Sequence, residues 1–276
     1  MNIDAHQHFW LFNEEDYGWI GEHQSVIRRD FLPETLLPIY KQNNIDACVA
    51  VQARQSEKET RWLIKLAQQH QFIKAVVGWI DLKAVDLAEQ LTHYQAFPML
   101  KGFRHVLQDE ADSQFMLDKD FIQGLKLLAE FGYRYDLLIL AKQLPQANEL
   151  LQHLPQLPIV LDHIGKPSIE TGEDFDQWQR GINTLASYQN AYCKVSGMVT
   201  ETDVNNWQEQ DFNQYLDVIF NAFGPERIMY GSDWPVCLLG GKYEAIKAII
   251  ENYVEKNYPQ YKQAVFGGNA KTFYQI

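Results

Sequence analysis

Eight short runs rich in Val, Ile, Leu and Tyr recur along this chain, with longer amphipathic stretches between them. The runs are Ile3–His8, Ala47–Gln52, Ile73–Ile80, Leu100–His105, Tyr135–Leu140, Ile159–His163, Tyr192–Ser196 and Ile228–Ser232. Several are almost continuously apolar, as expected of parallel strands buried on both faces. The stretches between them place apolar residues at helical spacing. Glu57–His70 aligns Trp62, Leu63, Leu66 and Ala67, and Tyr243–Val254 aligns Ile246, Ile249, Ile250 and Tyr253. Such stripes belong to helices packed on a sheet.

Eight strand-then-helix units predict an α/β fold with a parallel sheet, and right-handed crossovers close eight such strands into a (β/α)8 TIM barrel. An open doubly wound sheet is the competing architecture. It normally carries a glycine-rich phosphate turn after its first strand, and none follows His8. A barrel of this kind accommodates all 276 residues, so residues 1–276 are expected to form a single domain. The segment Phe9–Asp30, about four times a median loop, separates the first strand from its helix. It carries Phe9, Trp10, Phe12, Tyr17, Trp19 and Ile20. Either these aromatics pack on one another over the barrel rim, or they form a wall or lid over a ligand.

Charge and cysteine usage narrow the function classes. A net charge of −12 opposes binding to nucleic acid or to an anionic membrane surface. No stretch approaches the roughly 20 apolar residues of a membrane span. The N-terminal segment shows no basic region followed by an apolar run, so no signal peptide is expected and the location is read as cytoplasmic. Cys48, Cys193 and Cys237 are odd in number and widely spaced, which fits a reducing compartment.

The C-terminal ends of barrel strands surround one mouth, where residues distant in sequence meet. His6-Gln7-His8 ends the first run, and residues two apart on a strand share a face. Arg104 and His105 end the fourth run, Asp162 and His163 the sixth, and Asp233 follows the eighth. Each has a plain structural alternative: Arg104 can pair with a carboxylate such as Asp136, and Asp233 can cap the next segment. Together, a polar constellation at one predicted face marks a site.

These residues resemble the amidohydrolase superfamily, most nearly its amidohydrolase-related lactonase branch of sugar-lactone and pyrone-dicarboxylate hydrolases. The resemblance runs from Asp4-Ala5-His6-Gln7-His8-Phe9-Trp10 through Gly102-Phe103-Arg104-His105 and Asp162-His163-Ile164-Gly165-Lys166-Pro167 to Gly231-Ser232-Asp233-Trp234-Pro235. Trp10, Tyr17, Trp19 and Arg29-Asp30-Phe31-Leu32-Pro33 look most like the aldonolactonases that act on fuconate- or rhamnonate-type lactones. The resemblance implies that Asp233 takes a proton from the attacking water. It implies that His6, His8 and His163 polarise the carbonyl or, with Asp233, hold a metal, and that Arg104 holds polar groups of the substrate. The two-metal members use a fifth-strand histidine, and Tyr135–Leu140 has none. The implied cofactor is therefore one divalent ion, zinc before others, or no metal.

The resulting expectation is hydrolysis of a sugar lactone to its aldonic acid. Gln52 and Lys166 are expected to bind hydroxyls, and Trp10, Trp79 and Trp234 to stack on the sugar. Hydrolysis of another cyclic ester or amide is the alternative, and a non-catalytic sugar-acid or metal-binding protein a further one. The expected partner is a small-molecule sugar lactone, with no nucleic acid or membrane; a homo-oligomer is left open.

Overall fold

The eight runs become eight parallel strands in one sheet, ordered as they occur in the chain. They are β1 (Ile3–Gln7), β2 (Ala47–Val51), β3 (Ile73–Gly78), β4 (Leu100–Val106), β5 (Arg134–Leu138), β6 (Ile159–Leu161), β7 (Ala191–Val195) and β8 (Ile228–Tyr230). The computed structural model describes residues 1–276. Helices α1 (Pro33–Gln42), α2 (Glu57–Gln69), α3 (Leu87–Tyr94), α4 (Lys119–Glu130), α5 (Leu144–Gln152), α6 (Phe175–Ala186), α7 (Asn213–Phe223) and α8 (Tyr243–Asn257) alternate with the strands, and α9 (Asn269–Tyr274) follows. The architecture is a (β/α)8 barrel. None of these helices is long and apolar enough to cross a membrane.

Side-chain alternation along the strands produces two apolar layers. One parity, including Cys48, Ala50, Val76, Phe103, Tyr135, Leu161, Cys193 and Tyr230, packs outward in the same cluster as the helix stripes. The other parity fills the barrel with Ile3, Ala5, Ala47, Val49, Val51, Ala75, Val77, Val160 and Met229, against which α9 sets Ala270, Phe273 and Tyr274. Arg134 at the start of β5 donates through Nε to the Phe273 carbonyl at 2.7 Å, tying α9 to the barrel.

Closure between β8 and β1 is not a continuous ladder. It consists of a parallel bridge between Gln7 and Trp234, with Asp233 N donating to His6 O at 2.8 Å and His8 N to Trp234 O at 2.7 Å. β1 also slips by one residue against β2, pairing Asp4 with Cys48 but Gln7 with Ala50. Such a bulge re-aims the side chains beyond it. Ile3 and Ala5 face the interior, and simple alternation would send His6 outward with Asp4. After the slip, His6 and His8 face inward together.

Candidate active site

His6, His8, His163 and Asp233 meet at the strand ends. His6 Nε2 lies 3.2 Å from His8 Nε2. Asp233 Oδ1 lies 3.2 Å from His8 Nε2, 3.7 Å from His6 Nε2 and 4.0 Å from His163 Nε2. All four side chains are buried. The far nitrogens are held in place. His8 Nδ1 lies 2.8 Å from the Val51 carbonyl, which can only accept, so His8 carries a proton there and turns Nε2 inward. His6 Nδ1 faces Asp162 Oδ1 at 3.3 Å, and His163 Nδ1 faces Ser196 Oγ at 2.9 Å.

Backbone conformation presents two of these groups. His163, Ile164, Gly165 and Lys166 follow one another in the left-handed region, with φ of 53°, 52°, 76° and 48°. A β-branched residue there is a genuine outlier. The turn persists because Ile164 is fully buried and Trp178 Nε1 donates to its carbonyl at 2.7 Å. Asp233 is also left-handed, at φ 59°.

Beneath the histidines lies a buried charge network. Lys194 Nζ contacts Asp136 Oδ2 at 2.5 Å, Asp162 Oδ1 at 3.0 Å and His6 Nδ1 at 3.2 Å. Arg104 Nη1 donates to Asp162 Oδ2 at 3.1 Å and lies 3.3 Å from His6 Nε2. Arg104 is thus paired with Asp162, and the alternative partner, Asp136, belongs to Lys194 and to the Tyr274 hydroxyl. Register explains the exchange: Arg104 and Asp136 are neighbours across β4 and β5, but the guanidinium extends upward to Asp162 at the end of β6.

These surroundings set the protonation states. Burial raises the Asp233 carboxyl, but His163, the His8 hydrogen bond and His6 outweigh it and hold it below the ordinary range. Burial lowers His163 to about 4 and His6 well below its ordinary value. Asp162 is held low despite burial, by Lys194, His6 and Arg104. Near neutrality Asp233 is therefore a carboxylate facing the neutral imidazoles of His6 and His163, the protonation state a general base needs.

A cavity of about 970 Å³ opens over Asp233, His8, His163 and Arg104. Its lining includes polar Arg54, Gln55, Gln108, Lys166 and Glu201 and apolar Val26, Val204, Val236 and Leu239. Lys166 Nζ pairs with Glu201 Oε1 at 3.3 Å and Gln108 Oε1 at 3.2 Å. The loop after β1 packs Phe9, Trp10, Tyr17 and Ile20 inward and offers the cavity Trp19, 43% exposed, beside His23, Gln24 and Ser25. Glu59, buried at the start of α2, ties this loop to the next. Its carboxylate accepts from Ala53 N and Arg54 N at 3.0 Å each, and from Tyr17 Oη at 3.1 Å. Burial pushes that carboxyl up to about 7.

Four expected substrate contacts do not reach the cavity. Trp10 and Trp234 are fully buried: the first packs on Tyr17 and Phe31 and donates Nε1 to Arg29 O at 2.8 Å, and the second packs on Phe9 and Phe31. Neither has surface left for a sugar. Trp79 turns to the outer side of β4, its Nε1 3.4 Å from His105 Nδ1, while His105 stacks on Phe115. Gln52 is fully buried and donates Nε2 to Arg104 O at 3.1 Å, bracing strand ends. Lys166 and Arg104 do line the cavity, as does Trp19 from the loop read as an aromatic wall or lid, and so does Arg54, which the linear pattern does not single out.

The donor set fits a divalent cation. Three potential ligand atoms, His6 Nε2, His8 Nε2 and Asp233 Oδ1, converge with separations of 3.2, 3.2 and 3.7 Å. Tetrahedral zinc with bonds of about 2.1 Å has donor–donor edges of roughly 3.4 Å. His6, His8 and Asp233 form one possible ligand group, and His6, Asp162 and His163 a second.

Residues 3–276 match the family model described as Amidohydrolase. An L-fucono-1,5-lactonase of Burkholderia multivorans is 39% identical, with 100% of this chain and 96% of the relative covered. An L-fucono-1,5-lactonase of Burkholderia ambifaria is 34% identical at the same coverages of 100% and 96%. A crystal structure of an amidohydrolase from Burkholderia multivorans with bound Zn superposes with a TM-score of 0.97 at 39% identity, covering 100% of this chain and 99% of that one.

Proposed function

The chain belongs to the amidohydrolase family, and from that premise we propose that it hydrolyses a sugar lactone of the L-fucono-1,5-lactone kind to its aldonic acid. The observation that carries the reading is the Asp233 carboxyl group, within 4.0 Å of three imidazoles and lining a cavity with many polar side chains. Asp233 removes a proton from water as the water oxygen bonds to the lactone carbonyl carbon. Arg104 Nη1 donates toward the oxygen on which negative charge develops. With the Ser196 hydroxyl as donor to His163 Nδ1, the His163 proton sits on Nε2, facing the same region. The ring carbon–oxygen bond then breaks, and the proton held on Asp233 passes to the departing ring oxygen. Lys166, Glu201, Gln108 and Arg54 hold the substrate hydroxyls.

His6, His8 and Asp233 would hold one zinc ion, with His163 beside them, and such an ion would supply Lewis-acid polarisation of the carbonyl. We propose further that residues 1–276 act as one domain in a reducing cytoplasm, where the buried free thiols of Cys48, Cys193 and Cys237 stay reduced.

The test is a panel of 1,4- and 1,5-aldonolactones, followed by acid release with a pH indicator, and of cyclic amides, followed by appearance of the free amine. Turnover of a deoxy-aldonolactone is expected, together with loss of most activity in Asp233→Asn. A protein that opens no lactone, or an Asp233→Asn variant with near-normal turnover, sinks the reading.

A further inference from the structure

Asp4 stands on the outer parity of β1, fully buried, and the mechanism above makes no use of it. No cation lies among its hydrogen-bond partners. Four donors converge on it instead. Oδ1 accepts from Ser232 N at 2.8 Å and His6 N at 3.2 Å. Oδ2 accepts from the hydroxyls of Tyr40 in α1 and Tyr243 in α8, each at 3.0 Å.

The placement of those donors matters. The seam between β8 and β1 lacks a strand ladder, yet it separates His6 and His8 from Asp233. Asp233 sits in a left-handed conformation outside β8, and its backbone is tied across the seam by one bond of its own, Asp233 N to His6 O at 2.8 Å, rather than by a ladder. A single oxygen of Asp4 binds the amide of His6 and the amide of the residue preceding Asp233. The other oxygen is anchored by two helices that flank the seam.

We propose that Asp4 is a positioning residue that sets the spacing between His6 and Asp233 by clamping both backbones to one carboxylate. The proposal rests on the hydrolytic reading of the site, and its test separates the two. Wild type, Asp4→Asn, Asp4→Ala and the double variant Tyr40→Phe/Tyr243→Phe are compared in lactone turnover and in zinc titration by calorimetry. Thermal melts correct each for its folded fraction.

Misplacing reacting groups by about 1 Å costs roughly 100-fold, so Asp4→Ala is expected to lose about that in kcat with KM within about three-fold. Asp4→Asn, whose amide oxygen still accepts from both backbone amides, should stay within about ten-fold of wild type. The tyrosine pair, which loosens only the helix anchors, should lose roughly three- to ten-fold in kcat; it carries the test if Asp4→Ala does not fold. Zinc affinity should fall about 10- to 100-fold in Asp4→Ala and much less in Asp4→Asn.

A kcat for folded Asp4→Ala within about three-fold of wild type, or an Asp4→Asn as impaired as Asp4→Ala, overturns the proposal. So does unchanged kcat in the tyrosine pair where Asp4→Ala does not fold. Wild type without lactone turnover strikes the functional reading instead; the zinc titration then decides the Asp4 clamp by itself.

Discussion

Gly197 lies directly beneath the His163 ring, and a Cβ built on it would stand 2.4 Å from His163 Nδ1. Its backbone is left-handed as well, at φ 60°. Alanine there strains the chain by about 1–3 kcal/mol and pushes the ring off Ser196. Gly197→Ala should therefore lower kcat about 10- to 100-fold while the protein still folds. Activity of the folded variant within experimental error of wild type would show that the contact does not orient His163.

The pH profile should follow the buried imidazoles. His163 titrates near about 4 rather than at the ordinary histidine value, and Asp233 stays ionised to lower pH still. Protonated His163 pairs with Asp233 and removes its basicity. kcat/KM is thus expected to be flat from about pH 8 to about pH 5 and to halve near pH 4. An acid limb centred at about 6.5 would mean that His163 is far more hydrated than its burial implies.

Trp19 and Trp10 sit a few residues apart and should behave oppositely. Trp19 faces the cavity half exposed, so Trp19→Ala should raise KM several-fold with little change in melting temperature. Trp10 is fully buried among Tyr17, Trp19 and Phe31. Trp10→Ala should cost about 3–5 kcal/mol in urea unfolding. Equal effects of the two on KM would contradict the placement of both.

Glu59 gives a stability signal with a definite sign. Its carboxyl ionises at its ordinary value in the unfolded chain and near about 7 in the folded one. Between those values the folded state holds the extra proton. Its contribution is therefore complete below the unfolded value and is lost as pH rises through about 7. Wild type should lose up to about 3 kcal/mol relative to Glu59→Gln between pH 5 and pH 8. Urea midpoints of both proteins at the two pH values check this, and a difference that grows with pH in favour of wild type refutes it.

Much of the barrel is legible because its strands are short, apolar and bounded by amphipathic stretches; strands and helices lie within a few residues of their expected positions. His6, His8, His163 and Asp233 are legible because strand-end position converts directly into proximity in a barrel. The inner network is not. Nothing in Tyr192-Cys193-Lys194-Val195 distinguishes a buried lysine from a solvent-facing one, because period-two alternation reads the same whichever side is wet. The tryptophans mislead for a related reason. An indole at a strand end can face a ligand or the packed underside of a loop, and the long segment after β1 decides which. Asp4 is unremarkable in sequence, since its role depends on donors from α1, α8 and the segment after β8.

Arg104, Asp136, Asp162 and Lys194 come from four neighbouring strands or their ends, are buried, and sum to zero formal charge. Loss of any one leaves a buried charge unbalanced, at a cost of several kcal/mol. The set can therefore change only in steps that conserve its total. In a lineage, positions 136 and 194 should vary together or not at all, and a random library that diversifies one of the four should return almost no folded members unless an oppositely charged partner is diversified with it.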